Sequence, residues 1–245
     1  MAEMSGIVGL VAAAGRGTRS GLPYPKTLYP LQGRPILSHI AELISQWTDG
    51  LVVVASPDGE TAIRQCLVEA GIAAEVTIQA EPRGMGDAVL CGETACSLAG
   101  AENVLLIWGD VPFIQASTVK AVVAAHRVHG NDFTFATALV DSAYTIVARD
   151  PAGHVIGVVE TREENHANPV SGERDIGLFL FRKDLVLKAL REDLPGKHGK
   201  STGEHGFLYV IRHLAARGLK VEALPIASEL DLVSLNSLDD VTAFL

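Results

Sequence analysis

Between residues 6 and 108 four strand-length runs of β-branched and aliphatic residues recur: GIVGLVA (6–12), LVVVAS (51–56), AEVTIQ (74–79) and NVLLIW (103–108). Longer stretches of helical period separate them. Runs that are apolar almost throughout bury both faces, so such a chain needs a mostly parallel sheet covered by helices on each side. The spacing predicts helices over 35–47, 58–70 and 86–98. In the first, Ile36, Ile40, Leu43, Ile44 and Trp47 share one face, and Pro35 suits the first turn. After a further helix over 116–128 the pattern changes. Stretches 132–139, 143–149 and 154–160 read as strands, with Asp150-Pro151-Ala152-Gly153 as the turn between the last two, and predict a β-rich insert. A strand at 175–181, helices at 183–191 and 204–216, a strand at 219–225 and a short terminal helix complete the chain. The expected fold is α/β: a three-layer α/β/α sandwich with a mixed, mostly parallel central sheet, in one domain over 1–245. The segment PGKHGKSTGEHG (195–206) reads as a mobile loop.

The formal charge of −9 and a pI near 5.3 repel polyanions, so nucleic acid is not an expected partner. A small phosphorylated ligand needs only a few cations and backbone amides. Cys66, Cys91 and Cys96 lack a C-x-x-C spacing and lie in helical stretches, which predicts core thiols. The eight histidines show no metal-binding spacing; His205, beside Glu204, is expected in solvent. Glu3 stands where a signal peptide carries positive charge, and the apolar runs are far short of a membrane span. A reducing, cytoplasmic setting without a membrane partner is expected.

The turn after the first run carries the strongest chemical signal. Ala12, Ala13 and Ala14 keep the backbone bare, and Gly15 and Gly17 let main-chain amides approach an anion closely. A dinucleotide fingerprint would need glycine at Ser20, and the Walker order G-x-x-x-x-G-K-[ST] is absent: Gly199-Lys200-Ser201 mimics its ending, but Leu194 occupies its first glycine. Arg19 and Lys26 add two cations, with Pro23 and Pro25 stiffening the segment that carries Lys26. Cations held this way suit a triphosphate attacked at its α-phosphorus; a solvated basic loop has the same composition. Asp110 follows VLLIW at the carboxyl end of the sheet, where open α/β folds hold ligands, and its carboxylate suits Mg²⁺.

AAAGRGTR followed by PK resembles the signature of the nucleotide-diphospho-sugar pyrophosphorylase (NTP transferase) superfamily. PKTLYPLQGRPILSHI, QAEPRGMGDAV, WGDVPFI, VIGVVE, DIGLFLF, GEHGFLYVI and SLNS extend the likeness along the chain. Together they resemble the uridylyltransferase half of the bacterial bifunctional N-acetylglucosamine-1-phosphate uridylyltransferase. The resemblance implies a Rossmann-like, GT-A-like fold with a nucleotide half over about 1–115 and an acceptor half over about 116–245. It implies that Ala12, Ala13, Ala14, Gly15 and Gly17 line the nucleotide with Trp108 and Gly109, while Gln79, Gly84 and Met85 face a pyrimidine. Arg19 and Lys26 would grip the phosphates as the catalytic cations, and Asp110 and Asn236 would hold Mg²⁺, an ion content with one or two protein oxygens. Tyr144, Thr145, Glu160, Asp175 and Glu204 would meet the acceptor, leaving Glu163 and Glu164 as a solvent-facing edge.

Departures from the family pattern concentrate on the acceptor side. Thr145 replaces the glycine of a Tyr-Gly-Arg element, Asp175 the asparagine of Asn-Thr-Gly, and Gly206 and Leu208 a sugar-facing tyrosine and threonine. A site that exchanges such hydrogen-bonding groups rarely keeps the same polyol. The implied activity is therefore nucleotidyl transfer from an NTP, UTP favoured, to a sugar-1-phosphate or similar phosphorylated acceptor, with release of pyrophosphate. A CTP-dependent cytidylyltransferase and a catalytically weak nucleotide-binding regulatory module are the alternatives. No hexapeptide repeats occur in these residues, so acetyl transfer is not expected.

Overall fold

In the computed structural model, which describes residues 6–15, 21–161, 170–235 and 240, the first apolar run forms β1 (Ile7–Ala13). A two-rung hairpin, β2 (Pro30–Leu31) and β3 (Arg34–Pro35), feeds α1 (Ile36–Ser45). The unit then repeats as β4 (Gly50–Ala55), α2 (Glu60–Glu69), β5 (Glu75–Ile78), α3 (Met85–Gly92), α4 (Cys96–Ala99) and β6 (Asn103–Trp108). The second half comprises α5 (Ala116–His129), β7 (Phe133–Ala143), β8 (Thr145–Arg149), β9 (Val155–Glu160), β10 (Val170–Arg182), α6 (Lys183–Arg191), α7 (Tyr209–Ala216) and β11 (Val221–Leu224).

Seven strands form one sheet in the order β11-β7-β10-β6-β1-β4-β5. β10 runs antiparallel to β6 and β7, and every other pairing in that sheet is parallel. Alternation along the strands sorts the core into two layers. Val8, Leu10, Val52, Leu106, Phe133, Phe179 and Phe181 pack with α3, α4, α6 and α7 on one face. Ile7, Val11, Val53, Ile107 and Leu180 pack with α1, α2 and α5 on the other. This is the expected mixed, mostly parallel sheet between helical layers.

Several local readings are corrected. Residues 132–139 belong to the central sheet as β7, leaving β8 and β9 as the separate hairpin of the insert. The helix expected over 86–98 breaks after Gly92; α4 begins anew with the Glu75 carboxylate accepting the N–H groups of Cys96 and Ser97, each at 2.7 Å. Cys96 is consequently exposed and Cys91 half-buried, so Cys66 alone is a core thiol. The helix placed at 204–216 starts at Tyr209. Segment 195–206 is not a loose loop: His198 and His205 pair across a hairpin, Gly199 N–H donates to the Glu204 carbonyl at 2.9 Å, and Gly206 N–H to that of Lys197 at 2.8 Å. Gly17, Arg19, Glu163, Glu164, Asn236 and the terminal helix lie outside the described residues. Among the described residues no helix is long and apolar enough to cross a membrane.

One polar knot ties α5 to the sheet. The buried His126 ring lies 2.9 Å from Thr134 Oγ1 through Nδ1 and 3.1 Å from Asn103 Oδ1 through Nε2. Asn131 also donates to Thr134 Oγ1, so the hydroxyl proton is left for His126 and the neutral ring satisfies every partner. Burial pushes the His126 pKa down from 6.5 to about 4. The unfolded chain takes up this proton near 6.5 and the folded one only near 4. Stability is therefore full above the upper value and falls as pH drops across the window. In urea unfolding at pH 7.5 and 5, wild type should lose on the order of 2 kcal/mol more than His126→Gln. Equal losses would show that His126 is not a buried neutral base.

Candidate active site

A cleft of about 1320 Å³ opens at the carboxyl ends of β1 and β6 and runs toward the β8–β9 hairpin. Its first wall is the bare end of β1, Ala12 to Gly15, with Lys26, Gln79, Gly84, Met85, Trp108, Gly109 and Asp110 around it. Toward the β8–β9 hairpin stand Tyr144, Thr145, Glu160 and Asp175, while Glu204 lies beside Gly84. Thus the structure brings together every candidate residue that falls among the described ones.

Close packing sets the first wall. A Cβ on Gly109 would lie 2.7 Å from the Ala12 carbonyl oxygen, and Gly109 N–H donates to that oxygen at 3.0 Å. Glycine there lets Asp110 sit against the end of β1. The C-terminal segment closes the same corner: Leu235 N–H donates to the Asp110 carbonyl at 2.8 Å, and Lys26 Nζ donates to the Leu235 carbonyl at 2.6 Å. The segment is anchored by Asp231, 1% exposed, whose carboxylate accepts from the Gln115 and Ser228 N–H groups and the Thr118 and Ser228 hydroxyls.

The opposite wall is polar but internally paired. Asp175 is buried, with Oδ1 accepting from Thr145 Oγ1 at 2.6 Å and Oδ2 from Gly177 N–H at 3.2 Å. Burial pushes the Asp175 pKa up, against the lowering effect of those bonds. A bulge seats it here: Asp175 faces Thr137 and Phe179 faces Phe135, so four residues of β10 advance against two of β7. Two of the four residues that depart from the family pattern, Thr145 and Asp175, are thus one hydrogen-bonded pair. Tyr144 is 54% exposed, with the Arg174 guanidinium 4.6 Å from its ring centroid.

His205 was expected in solvent and is instead buried, because its hairpin docks on the start of α3. Its N–H donates to the Arg83 carbonyl at 2.6 Å and its carbonyl accepts from Gly86 N–H at 3.0 Å. A Cβ on Gly84 would lie 2.5 Å from the His205 carbonyl oxygen; one on Gly86 would collide with the Gly206 carbonyl oxygen and lie 2.7 Å from the His205 ring. Burial, with help from Lys197 and His198, pushes the His205 pKa down to about 4, and burial pushes Tyr209 beside it up to about 12. Arg174, His198, Lys200, Tyr209 and Arg212 also line the cleft and were not singled out from sequence. The paired glycines 84 and 86 were the available sign that another segment lies against this turn.

A doubly covered α/β sheet whose bare first-strand end shares one wall of a cleft with a carboxylate and a lysine has the architecture of an NTP transferase. The chain belongs to the MobA-like NTP transferase domain family, whose model matches residues 9–200. It is 32% identical over 234 residues to the bifunctional protein GlmU of Pelotomaculum thermopropionicum, covering 94% of this chain and 49% of that protein. It is also 32% identical over 231 residues to the GlmU of Kineococcus radiotolerans, covering 93% and 46%. The chain spans about half the length of these curated relatives.

The glycine packing yields a stability test. Gly86→Ala should destabilise the protein by about 1–3 kcal/mol and expose Lys197 and Lys200 to trypsin. Gly100→Ala, at a position with nothing within 4 Å and an ordinary φ of −88°, should be neutral or slightly stabilising. Similar effects from both substitutions, in urea melts and limited proteolysis, would contradict the docked hairpin.

Proposed function

We propose that this protein transfers a nucleotidyl group from an NTP, UTP favoured, to a sugar-1-phosphate or similar phosphorylated acceptor in the cytoplasm, releasing pyrophosphate. The observation that carries the reading is the two-walled cleft: bare strand end, Lys26 and Asp110 on one side, the Thr145–Asp175 pair on the other. The motifs that resemble a bacterial sugar-1-phosphate uridylyltransferase make a phosphorylated sugar the first acceptor class to examine.

In this reading a phosphate oxygen of the acceptor attacks the α-phosphorus. The bond from that phosphorus to the α–β bridging oxygen breaks, and pyrophosphate leaves with the bond's electron pair. Backbone from Ala12 to Gly17 cradles the phosphates, and Gln79, Gly84 and Met85 face the base, with Trp108 and Gly109 beside them. Lys26, joined by Arg19, stabilises charge on the α-phosphate and the departing pyrophosphate. Tyr144, Thr145, Glu160, Asp175 and Glu204 orient the acceptor. Asp110 and Asn236 are the proposed Mg²⁺ ligands, both being hard oxygen donors. Bound there, Mg²⁺ would neutralise phosphate charge.

Pyrophosphate release, measured for each NTP with Mg²⁺ against a panel of phosphorylated sugars, cyclitols and other alcohols, tests the proposal. One pairing containing UTP should turn over, and Asp110→Ala should lower its rate roughly 100-fold or more. Release with no pairing would overturn the transfer reading; a near-wild-type Asp110→Ala rate would overturn the metal assignment.

A further inference from the structure

Gln79 follows β5, is buried, and lines the nucleotide wall of the cleft. Its Nε2 donates to the Gly84 carbonyl at 2.9 Å and to Asp87 Oδ2 at 2.9 Å. Both partners only accept: a carbonyl has no proton to give, and neither has a carboxylate. The amide therefore has one permitted orientation, with NH₂ toward the start of α3 and Oε1 left over from these two bonds. Asp87 sits in the first turn of α3, where the helix N-terminus favours negative charge. The Cys91 thiol, 3.8 Å from the same Oδ2, supplies a second donor to it. Burial and the Asp87 charge push that thiol's pKa up, keeping its proton in place. Asp87 itself is not among the residues that line the cleft.

We infer that Asp87 is a positioning residue for base choice: by holding the Gln79 NH₂ inward it leaves a hydrogen-bond acceptor for the base. Set against ring N3, that acceptor matches a pyrimidine whose N3 carries a proton, as in uracil. It opposes one whose N3 is a bare lone pair, as in cytosine. Reversing the amide to suit cytosine would set Oε1 against the Asp87 carboxylate and the Gly84 carbonyl at once, two acceptor–acceptor contacts in a buried place. The inference rests on Gln79 facing the base, as the proposed function has it.

Asp87→Asn removes the Asp87 half of that compulsion at constant shape and leaves the Gly84 carbonyl in place, since an asparagine amide can present either a donor or an acceptor to Gln79. Dissociation constants for UTP and CTP, measured calorimetrically with Mg²⁺ on wild type and Asp87→Asn, test the idea without turnover. Wild type should bind UTP at least about tenfold more tightly than CTP, the worth of one well-made hydrogen bond. Asp87→Asn should compress that ratio about tenfold by weakening UTP and strengthening CTP. Should that variant not fold, Asp87→Ser, which also removes the obligatory acceptor, should show the same compression. A merely structural Asp87 would weaken both nucleotides equally, and an unchanged ratio overturns the inference. So does a wild type without uracil preference, or one that binds neither nucleotide. Intact, Asp87-dependent uracil preference without pyrophosphate release would sink the transfer reading alone.

Discussion

Strand β1 is the constraint on which the rest of this fold depends. It is paired on both edges, to β4 and β6, and apolar on both faces, so Ile7 and Val11 require one helical layer while Val8 and Leu10 require another. Once both layers are in place the strand's carboxyl end has nowhere to go but out of the sheet. The chain leaves it as three alanines and a glycine, with too little side chain to fill the gap. The cleft is thus a consequence of how the core is covered, and the residues at its mouth are those that the sheet order puts there.

What turns that gap into a site is a junction of distant segments. Leu235 joins Lys26 to Asp110 through its own backbone, and Asp231 holds the approach of that segment by filling the start of α5 with carboxylate oxygens. Nearby the docked hairpin presses His205 against Gly84 and Gly86, so the start of α3 and the hairpin share contacts. The Thr145–Asp175 pair adds that the wall opposite β1 has its own internal hydrogen bonding.

Local pattern carried the first half of the fold and failed where partners lie far away in the chain. The runs of β1, β4, β5 and β6 are legible because burial on both faces leaves an unbroken apolar stretch. β10 begins five residues before the strand expected at 175, because Gly172, Glu173 and Arg174 pair with β7 and need no apolar face. Residues 132–139 look like any alternating strand, and nothing local says that their partner is the central sheet. The sequence around His205 is polar and glycine-rich, and its burial comes from glycines some 120 residues earlier. Candidate site residues were legible through motif order: Gly109 beside Asp110, and Gln79 five residues before Gly84. The Asp87 contact was not, since an acidic residue in a helix's first turn has an ordinary explanation of its own.

A crystal structure grown with UTP and Mg²⁺ tests the central claim most directly, because the account assigns each part of the nucleotide to a wall of the cleft. The account predicts uracil against Gln79, Gly84 and Met85, the phosphates over Ala12 to Gly15 beside Lys26, and the metal at Asp110. A nucleotide seated instead against Tyr144 and Arg212, or a metal held away from Asp110, would contradict it.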